Sequence, residues 1–244
     1  MNEVIGTAPT RIAYQSPDLE LFIDARHWKQ YWSKQVAPYI GGQVFEVGAG
    51  LGGSTEHMVN PRCSAWLCLE PDPSLVAQIT PRITAGELPS YCSAQCGVLG
   101  DLAADLTADT IIYIDVLEHI EDDEEEIRLA ARHLRIGGHL IVLCPAFNLL
   151  YSELDRAVGH FRRYKRADIA RLTPPDLAVR KLFFLDSVGF FASLANRLLV
   201  KSSLPTAAQI ALWDRLMVPL SRYAADRVFS SMFGKTIVAV WQKV

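Results

Sequence analysis

One ten-residue stretch, Val44-Phe45-Glu46-Val47-Gly48-Ala49-Gly50-Leu51-Gly52-Gly53, narrows the folds open to this chain more than any other. Val44 to Val47 is an apolar run broken by a single carboxylate, the pattern of a strand covered on both faces. Glycines follow at 48, 50, 52 and 53, and Ser54 to Val59 reads as the opening of a helix. Strand, glycine turn and helix make the first unit of a doubly wound α/β sheet. Glycine lets such a turn bend sharply and lets a ligand approach the backbone closely. The helix start offers unpaired N–H groups to that ligand.

The glycine spacing fits two patterns. Gly48, Gly50 and Gly53 satisfy G-x-G-x-x-G, the dinucleotide fingerprint. Glu46, Gly48, Gly50 and Gly52 satisfy a looser E-x-G-x-G-x-G. The next apolar run, Ala65 to Leu69, ends in Glu70-Pro71-Asp72-Pro73, which places Glu70 22 residues beyond Gly48. A carboxylate at that spacing, at the end of a second strand, accepts hydrogen bonds from ribose hydroxyls. The expectation is an adenosine-bearing cofactor, with sulfonium and nicotinamide versions both open.

The rest of the chain alternates in the same way. Leu19 to Tyr39 reads as a helix capped by Asp18, with Trp28, Tyr31 and Trp32 along it. Trp32 is expected to pack against the sheet, while Trp28 and Tyr31 could pack or close over a ligand. Pro73 to Arg82 reads as a helix and Tyr91 to Leu99 as a weak third strand. Thr110 to Ile114 is a fourth, buried strand, and Asp115 stands at its carboxyl end, where open α/β sheets bind ligands. The acidic run Glu121 to Glu126 opens a helix over Asp123 to Leu134, its charges suited to the helix dipole. His139 to Cys144 is a fifth strand. Ala146 to Arg166 is a long basic loop, and loops of that length are usually functional. A helix over Arg166 to Leu172, a strand over Leu177 to Asp186, helices over Val188 to Val200 and Ala207 to Tyr223, and a strand over Gly234 to Trp241 complete the chain. The reading is residues 1–40 as arm and helix and 41–244 as the main domain, with 146–166 as a substrate loop and 187–233 as a helical insertion.

Composition bounds the function. The chain has 244 residues, half of them apolar, and a formal charge of −3, which argues against nucleic acid as a partner. No basic, apolar leader is apparent, so a cytoplasmic protein is expected. The odd number of cysteines, five, in apolar surroundings suggests reduced thiols. Cys92 and Cys96 lack a second Cys/His pair at ligand spacing, and no metal is expected. The stripe over Val188 to Val200 is too short and polar to span a bilayer, which makes core packing the default and membrane contact a minority reading.

The strings E-V-G-A-G, L-E-P-D, D-V-L-E-H-I and L-R-I-G-G together resemble the class I S-adenosylmethionine-dependent methyltransferases, over roughly Gln43 to Val244. The closest subgroup is the type 11/12/23-like small-molecule enzymes found beside bacterial sugar and lipid biosynthetic enzymes. The resemblance implies a seven-stranded, mostly parallel sheet with the last strand antiparallel beside the fifth. It implies S-adenosylmethionine held by Glu46, Gly48, Ala49, Gly50, Glu70 and Asp115. It places Val98 or Leu99 on one side of the adenine and Pro71 or Asp72 on the other. D-V-L-E-H-I resembles motif IV of many of these enzymes, which puts Glu118 and His119 on the turn beside the methyl group. The string G-H-F-R-R-Y, residues 159–164, also occurs in this subgroup. The implied chemistry is in-line displacement without a metal. A hydroxyl acceptor would need a general base, and His119 and His160 are the candidates, with Tyr164 positioning the acceptor. Arginine forks match anions, so Arg162 or Arg163, with Tyr151 nearby, is expected to grip an anionic small-molecule acceptor; the competing account makes these arginines a solvated face or structural partners for Glu153 and Asp155. The competing readings are an NAD-dependent oxidoreductase and a non-catalytic cofactor-binding module. The (Asn/Asp)-Pro-Pro-aromatic string of enzymes acting on flipped amino bases does not follow Ile114, which argues against a nucleic-acid methyltransferase.

Overall fold

The computed structural model describes residues 22–200 and 205–244. Seven strands form one sheet: β1 (Gly42–Val47), β2 (Cys63–Glu70), β3 (Cys92–Cys96), β4 (Ala108–Ile114), β5 (Leu134–Pro145), β6 (Leu177–Leu185) and β7 (Thr236–Lys243). Their spatial order is β3-β2-β1-β4-β5-β7-β6. The first five run parallel. β7 lies antiparallel between β5 and β6. This is the doubly wound α/β sheet that the alternation of elements predicts, with the seven strands and the antiparallel last strand beside the fifth that the resemblance implies.

The apolar runs are unbroken because both sheet faces are covered. In β4, Ile111 and Tyr113 enter one core layer and Ile112 the other; in β5, Leu140 and Val142 oppose Ile141 and Leu143 in the same way. Each fully buried aliphatic side chain contributes about 1.5–3 kcal/mol. Helix Asp123–His133 and helix Arg166–Leu172 cover one layer through Ile127, Ala130, Ile169 and Leu172. Helix Arg26–Val36 and helix Pro73–Thr84 cover the other through Trp28, Trp32, Val36 and Ile79. From β1 the chain moves outward to β3, then crosses back to β4 on the other side of β1. The order reverses between β1 and β4, and their carboxyl ends open the crevice in which such sheets bind ligands.

Several boundaries shift from the sequence reading. The first helix of the described residues is Arg26–Val36, followed by a 3₁₀ turn, Ala37–Tyr39; its expected start at Asp18 lies outside the described residues. The helix after the glycine turn is only one turn long, Thr55–Met58. β5 begins at Leu134, which pairs with Ala108 of β4, so the strand takes in the Gly137-Gly138 expected to separate helix from strand. Pro219 does not end its helix. The stretch 207–229 runs through π turns at Trp213–Met217 and Ser221–Ala225, which flank the short segment holding the proline. A π turn already shifts the hydrogen-bond ladder, so a missing N–H is tolerated there.

Trp28 and Tyr31 pack. Asp214 accepts hydrogen bonds from the backbone N–H of His27 (3.2 Å) and Trp28 (2.8 Å), and the Tyr31 hydroxyl donates to Asp226 (2.8 Å). The rings of Trp28 and Trp213 stand 5.7 Å apart. The N-terminal helix is thereby latched to the 207–229 stretch. Among the described residues no helix is long and apolar enough to cross a membrane.

Candidate functional site

The glycine turn is shaped by what it must avoid. Gly48 has φ +71°, and a Cβ there would lie 2.5 Å from Cγ2 of Val116, which follows β4. The turns after β1 and β4 therefore touch, and only glycine fits at their contact. The N–H groups of Gly48 and Ala49 both donate to the Leu69 carbonyl, at 2.8 and 3.0 Å, which fixes the turn to β2. Gly50, with φ +56°, donates its N–H to Glu70 Oε2 at 2.8 Å. Asp72 donates its N–H to Glu70 Oε1 at 3.0 Å. Each oxygen of this buried carboxylate keeps one lone-pair direction for a further donor. Burial raises the Glu70 carboxyl above its ordinary value, and the two backbone donors oppose that rise. The cradle fits an adenosine cofactor: a carboxylate ready for hydroxyls, next to a turn with glycine at 48, 50, 52 and 53.

The other residues expected to hold that cofactor divide into two groups. Pro71 and Val98 are exposed just beyond the paired strand ends Glu70 and Cys96, where an adenine ring could lie between them. Glu46, Asp72 and Leu99 are turned elsewhere. Glu46 is buried and accepts from Thr55 Oγ1 (2.7 Å) and Trp66 Nε1 (2.9 Å), so it pins the turn from behind. Burial pushes its carboxyl up to about 7 against those hydrogen bonds. Asp72 caps the helix Pro73–Thr84, accepting from the Ser74 N–H at 2.8 Å, a role its N-cap position explains. Leu99 is fully buried in the core because the chain turns inward after Val98.

On the other side of the crevice Asp115 takes a left-handed backbone (φ +53°), which few non-glycine residues adopt. The turn after it carries Glu118 and His119. The His119 and His160 rings meet edge to face with centroids 4.6 Å apart. Burial first, and His160 second, lower the His119 pKa to about 4. His160 Nδ1 lies 2.8 Å from Asp155 Oδ1, and its Nε2 lies 3.8 Å from Glu118 Oε1. Burial first, and the Asp115 charge second, hold the Glu118 carboxyl well above the usual range. The structure thus brings His119 and His160 together across 41 residues of sequence.

Four other residues of the basic loop are structural. Tyr164 is buried; its hydroxyl meets Asp123 Oδ2 at 2.9 Å and the Leu117 carbonyl at 3.1 Å, so it faces the core and not an acceptor. Arg163 is buried too and forks onto Asp155 through Nε and Nη2, at 2.8 and 2.9 Å. Arg162 lies against Asp123 (2.6 Å) and the Glu121 carbonyl (2.7 Å). The Tyr151 hydroxyl donates to the His160 carbonyl at 2.6 Å, bracing the loop. Both arginines are paired with carboxylates, Arg163 keeping only its buried Nη1 without a hydrogen bond, so the structure favours the account in which they are structural partners over a grip on an acceptor.

Two residues of the crevice were not singled out from sequence. Asp155 orients His160; the sequence reading named it only as a partner for the loop arginines, and its place four and five residues before Gly159 and His160 was the signal of a local hydrogen bond. Lys235, read as the start of a strand, is half-buried with its ammonium 4.8 Å from the Trp213 ring; the charges that act on it are Asp186, Arg163, Asp115 and Asp155. Its signal was topological: β7 is antiparallel, so its first residues sit at the carboxyl end of β5.

Residues 45–142 match a family model described as a methyltransferase domain. The chain is 28% identical over 171 residues to a demethylmenaquinone methyltransferase of Tropheryma whipplei, covering 66% of this chain. The match spans 64% of that relative, short of two thirds of its length. Among solved structures, the fold resembles an S-adenosylmethionine-dependent methyltransferase from Clostridium acetobutylicum, with a TM-score of 0.57 and 12% identity over 90% of this chain and 92% of that one. It also resembles a geranyl diphosphate methyltransferase in complex with its methyl donor, with a TM-score of 0.65 and 12% identity over 95% of this chain and 94% of that one.

Proposed function

We propose that this protein is a class I S-adenosylmethionine-dependent methyltransferase, a reading supported by the methyltransferase-domain match over residues 45–142 and by the fold, and that it moves a methyl group to a small-molecule acceptor held under the 146–166 loop. The observation that carries the reading is the Glu70 carboxylate, bonded to the Gly50 N–H beside a glycine-rich turn. Bound there, S-adenosylmethionine would supply an electrophilic methyl group on its sulfonium. Glu70 would accept the ribose hydroxyls, Gly48 to Gly50 would line the donor's path, and Pro71 and Val98 would flank the adenine. Asp115 borders the point where the turns after β1 and β4 meet. The loop bearing His160 would exclude water and hold the acceptor in line, the two contributions such a reaction needs from its enzyme.

The acceptor end is the cluster Glu118, His119 and His160. Lys235, whose ammonium feels the charges of Asp115 and Asp155, is a candidate cation among the described residues to meet an anionic group on the acceptor. The two relatives whose names state an acceptor, demethylmenaquinone and geranyl diphosphate, support a small molecule. Calorimetry with S-adenosylhomocysteine and with NADH tests the cofactor. Binding of the first and not the second is expected, and preference for NADH would overturn the reading. Transfer of a labelled methyl group into the small-molecule fraction of a cell extract tests the acceptor class; label found only in protein or RNA would refute it.

A further inference from the structure

Glu118 stands out in the crevice. Its side chain is fully buried, and neither carboxylate oxygen meets hydrogen-bond geometry with any partner; burial and the Asp115 charge outweigh its own backbone N–H and the Arg163 charge, which favour the ionised form. Buried polar groups are nearly always satisfied, and a carboxylate left bare is among the costliest exceptions. The nearest ring does not relieve it. His160 directs Nδ1 to Asp155 at 2.8 Å, which makes Nδ1 an N–H donor. Its Nε2 faces Glu118 Oε1 across 3.8 Å, beyond hydrogen-bond range whatever that nitrogen carries. His119 closes the third side, its ring held by backbone hydrogen bonds at Val158 and Gly159. One ligand atom from each of Glu118, His119 and His160 lies within 4.8 Å of the other two.

We propose that these three side chains hold one divalent transition-metal cation. Ligand atoms around a tetrahedral ion stand about 3.4 Å apart, given bonds of about 2.0–2.2 Å. The cluster therefore closes on an ion when its widest separation, up to 4.8 Å, contracts by about 1.4 Å, a rotamer-scale movement. Two imidazoles and one carboxylate suit Zn²⁺, Mn²⁺, Fe²⁺ or Co²⁺ better than the all-oxygen demands of Ca²⁺ or Mg²⁺. The support behind the ligands is already built. Metal-bound histidines commonly donate their other ring N–H to a carboxylate. Asp155 fills that role for His160 and is itself held by Ser152 and by both forks of Arg163. Three protein ligands leave a position open for water or an acceptor oxygen. That last point rests on the proposed function; the binding of the ion does not. The site revises the expectation of no metal, which considered cysteine spacing and could not see three side chains converge.

The test uses the whole chain, stripped with a chelator and titrated with Zn²⁺ in the absence of methyl donor and acceptor. Calorimetry and metal analysis should show about one ion per chain. Glu118→Gln and His160→Ala should each weaken binding at least tenfold, while Cys96→Ser leaves it unchanged. Co²⁺ substitution supplies an independent signature: a visible d–d band that His119→Ala alters. Should Glu118→Gln fail to fold by circular dichroism, the Co²⁺ band in His119→Ala and His160→Ala decides. A carboxyl proton alone would also relieve Glu118, and it predicts no stoichiometric metal. That result, or equal Zn²⁺ affinity in wild type, Glu118→Gln and His119→Ala, overturns the proposal. Metal-free protein that still binds S-adenosylhomocysteine leaves the proposed function standing, so the two failures are distinguishable.

Discussion

Replacing Asp155 by alanine removes the keystone of the 146–166 loop. Its carboxylate accepts five hydrogen bonds: from the Ser152 N–H and hydroxyl, from His160 Nδ1, and from Nε and Nη2 of Arg163, all between 2.7 and 2.9 Å. Both members of the central pair are buried. Cutting one partner out of a buried pair strands the other charge, which costs about 3–5 kcal/mol. A domain of this size loses about 2–4 °C of melting temperature per kcal/mol, so the expected drop is about 6–20 °C. Removing Arg163 as well should restore part of the loss, because no charge is then left bare. Burial would raise the Asp155 carboxyl, but the His160 and Arg163 hydrogen bonds outweigh it and hold the group well below the usual carboxylate range. Its contribution is therefore complete above the ordinary value of 3.8 and is lost only as pH falls through the depressed one. Scanning calorimetry of Asp155→Ala and Asp155→Ala/Arg163→Met at pH 5 and pH 8 checks this. A single mutant melting within about 2 °C of wild type, or a double mutant less stable than the single by the full cost of a second strand of losses, would refute the argument.

Three further substitutions follow from the site. Glu70→Ala should weaken S-adenosylhomocysteine binding by about 1–3 kcal/mol, the cost of ribose hydroxyls left without an acceptor; calorimetric affinity equal to wild type would discard the assignment. Gly48→Ala adds a Cβ 2.5 Å from Val116 Cγ2 at φ +71°, so cofactor binding should fall and Val116→Ala should restore part of it; a Gly48→Ala protein with wild-type affinity would contradict the turn geometry. Burial pushes the Glu46 carboxyl up to about 7 from its ordinary 4.5, so its share of stability is present below the unfolded value and declines as pH rises to about 7, by about 3 kcal/mol in all. Glu46→Gln should flatten that part of the melting curve against pH, and parallel wild-type and mutant curves would count against it.

How much was legible in the sequence depended on the range of the interaction. The β1 turn and Glu70 were legible because a 20-odd-residue spacing and apolar runs are local signals of one βαβ unit. The α/β class followed from alternation, and the antiparallel last strand beside the fifth from the family resemblance. Leu99 and Tyr164 were misplaced because whether an apolar or aromatic side chain faces crevice or core depends on how the chain turns, which periodicity does not report in loops. Arg162 and Arg163 were misread for a related reason. Basic residues in a loop look alike in sequence, but Asp123 and Asp155 stand where only the folded loop brings them. Glu118 illustrates the same limit from the other side: its place in D-V-L-E-H-I was recognisable, its complete burial was not.

The latch between the N-terminal helix and the 207–229 stretch sets a schedule for synthesis on the ribosome. The helix Arg26–Val36 lies against the glycine turn, with Lys29 Nζ 3.1 Å from where a Gly53 Cβ would stand. Yet the carboxylates that fasten it, Asp214 and Asp226, emerge some 180 to 200 residues later. β7, which completes the sheet between β5 and β6, comes later still. Domains synthesised from the N-terminus fold as their contacts become available. The donor side of the crevice is therefore the first part made and among the last secured, and a nascent chain stalled before residue 214 would present its strands and glycine turn with the aromatic face of its first helix uncovered.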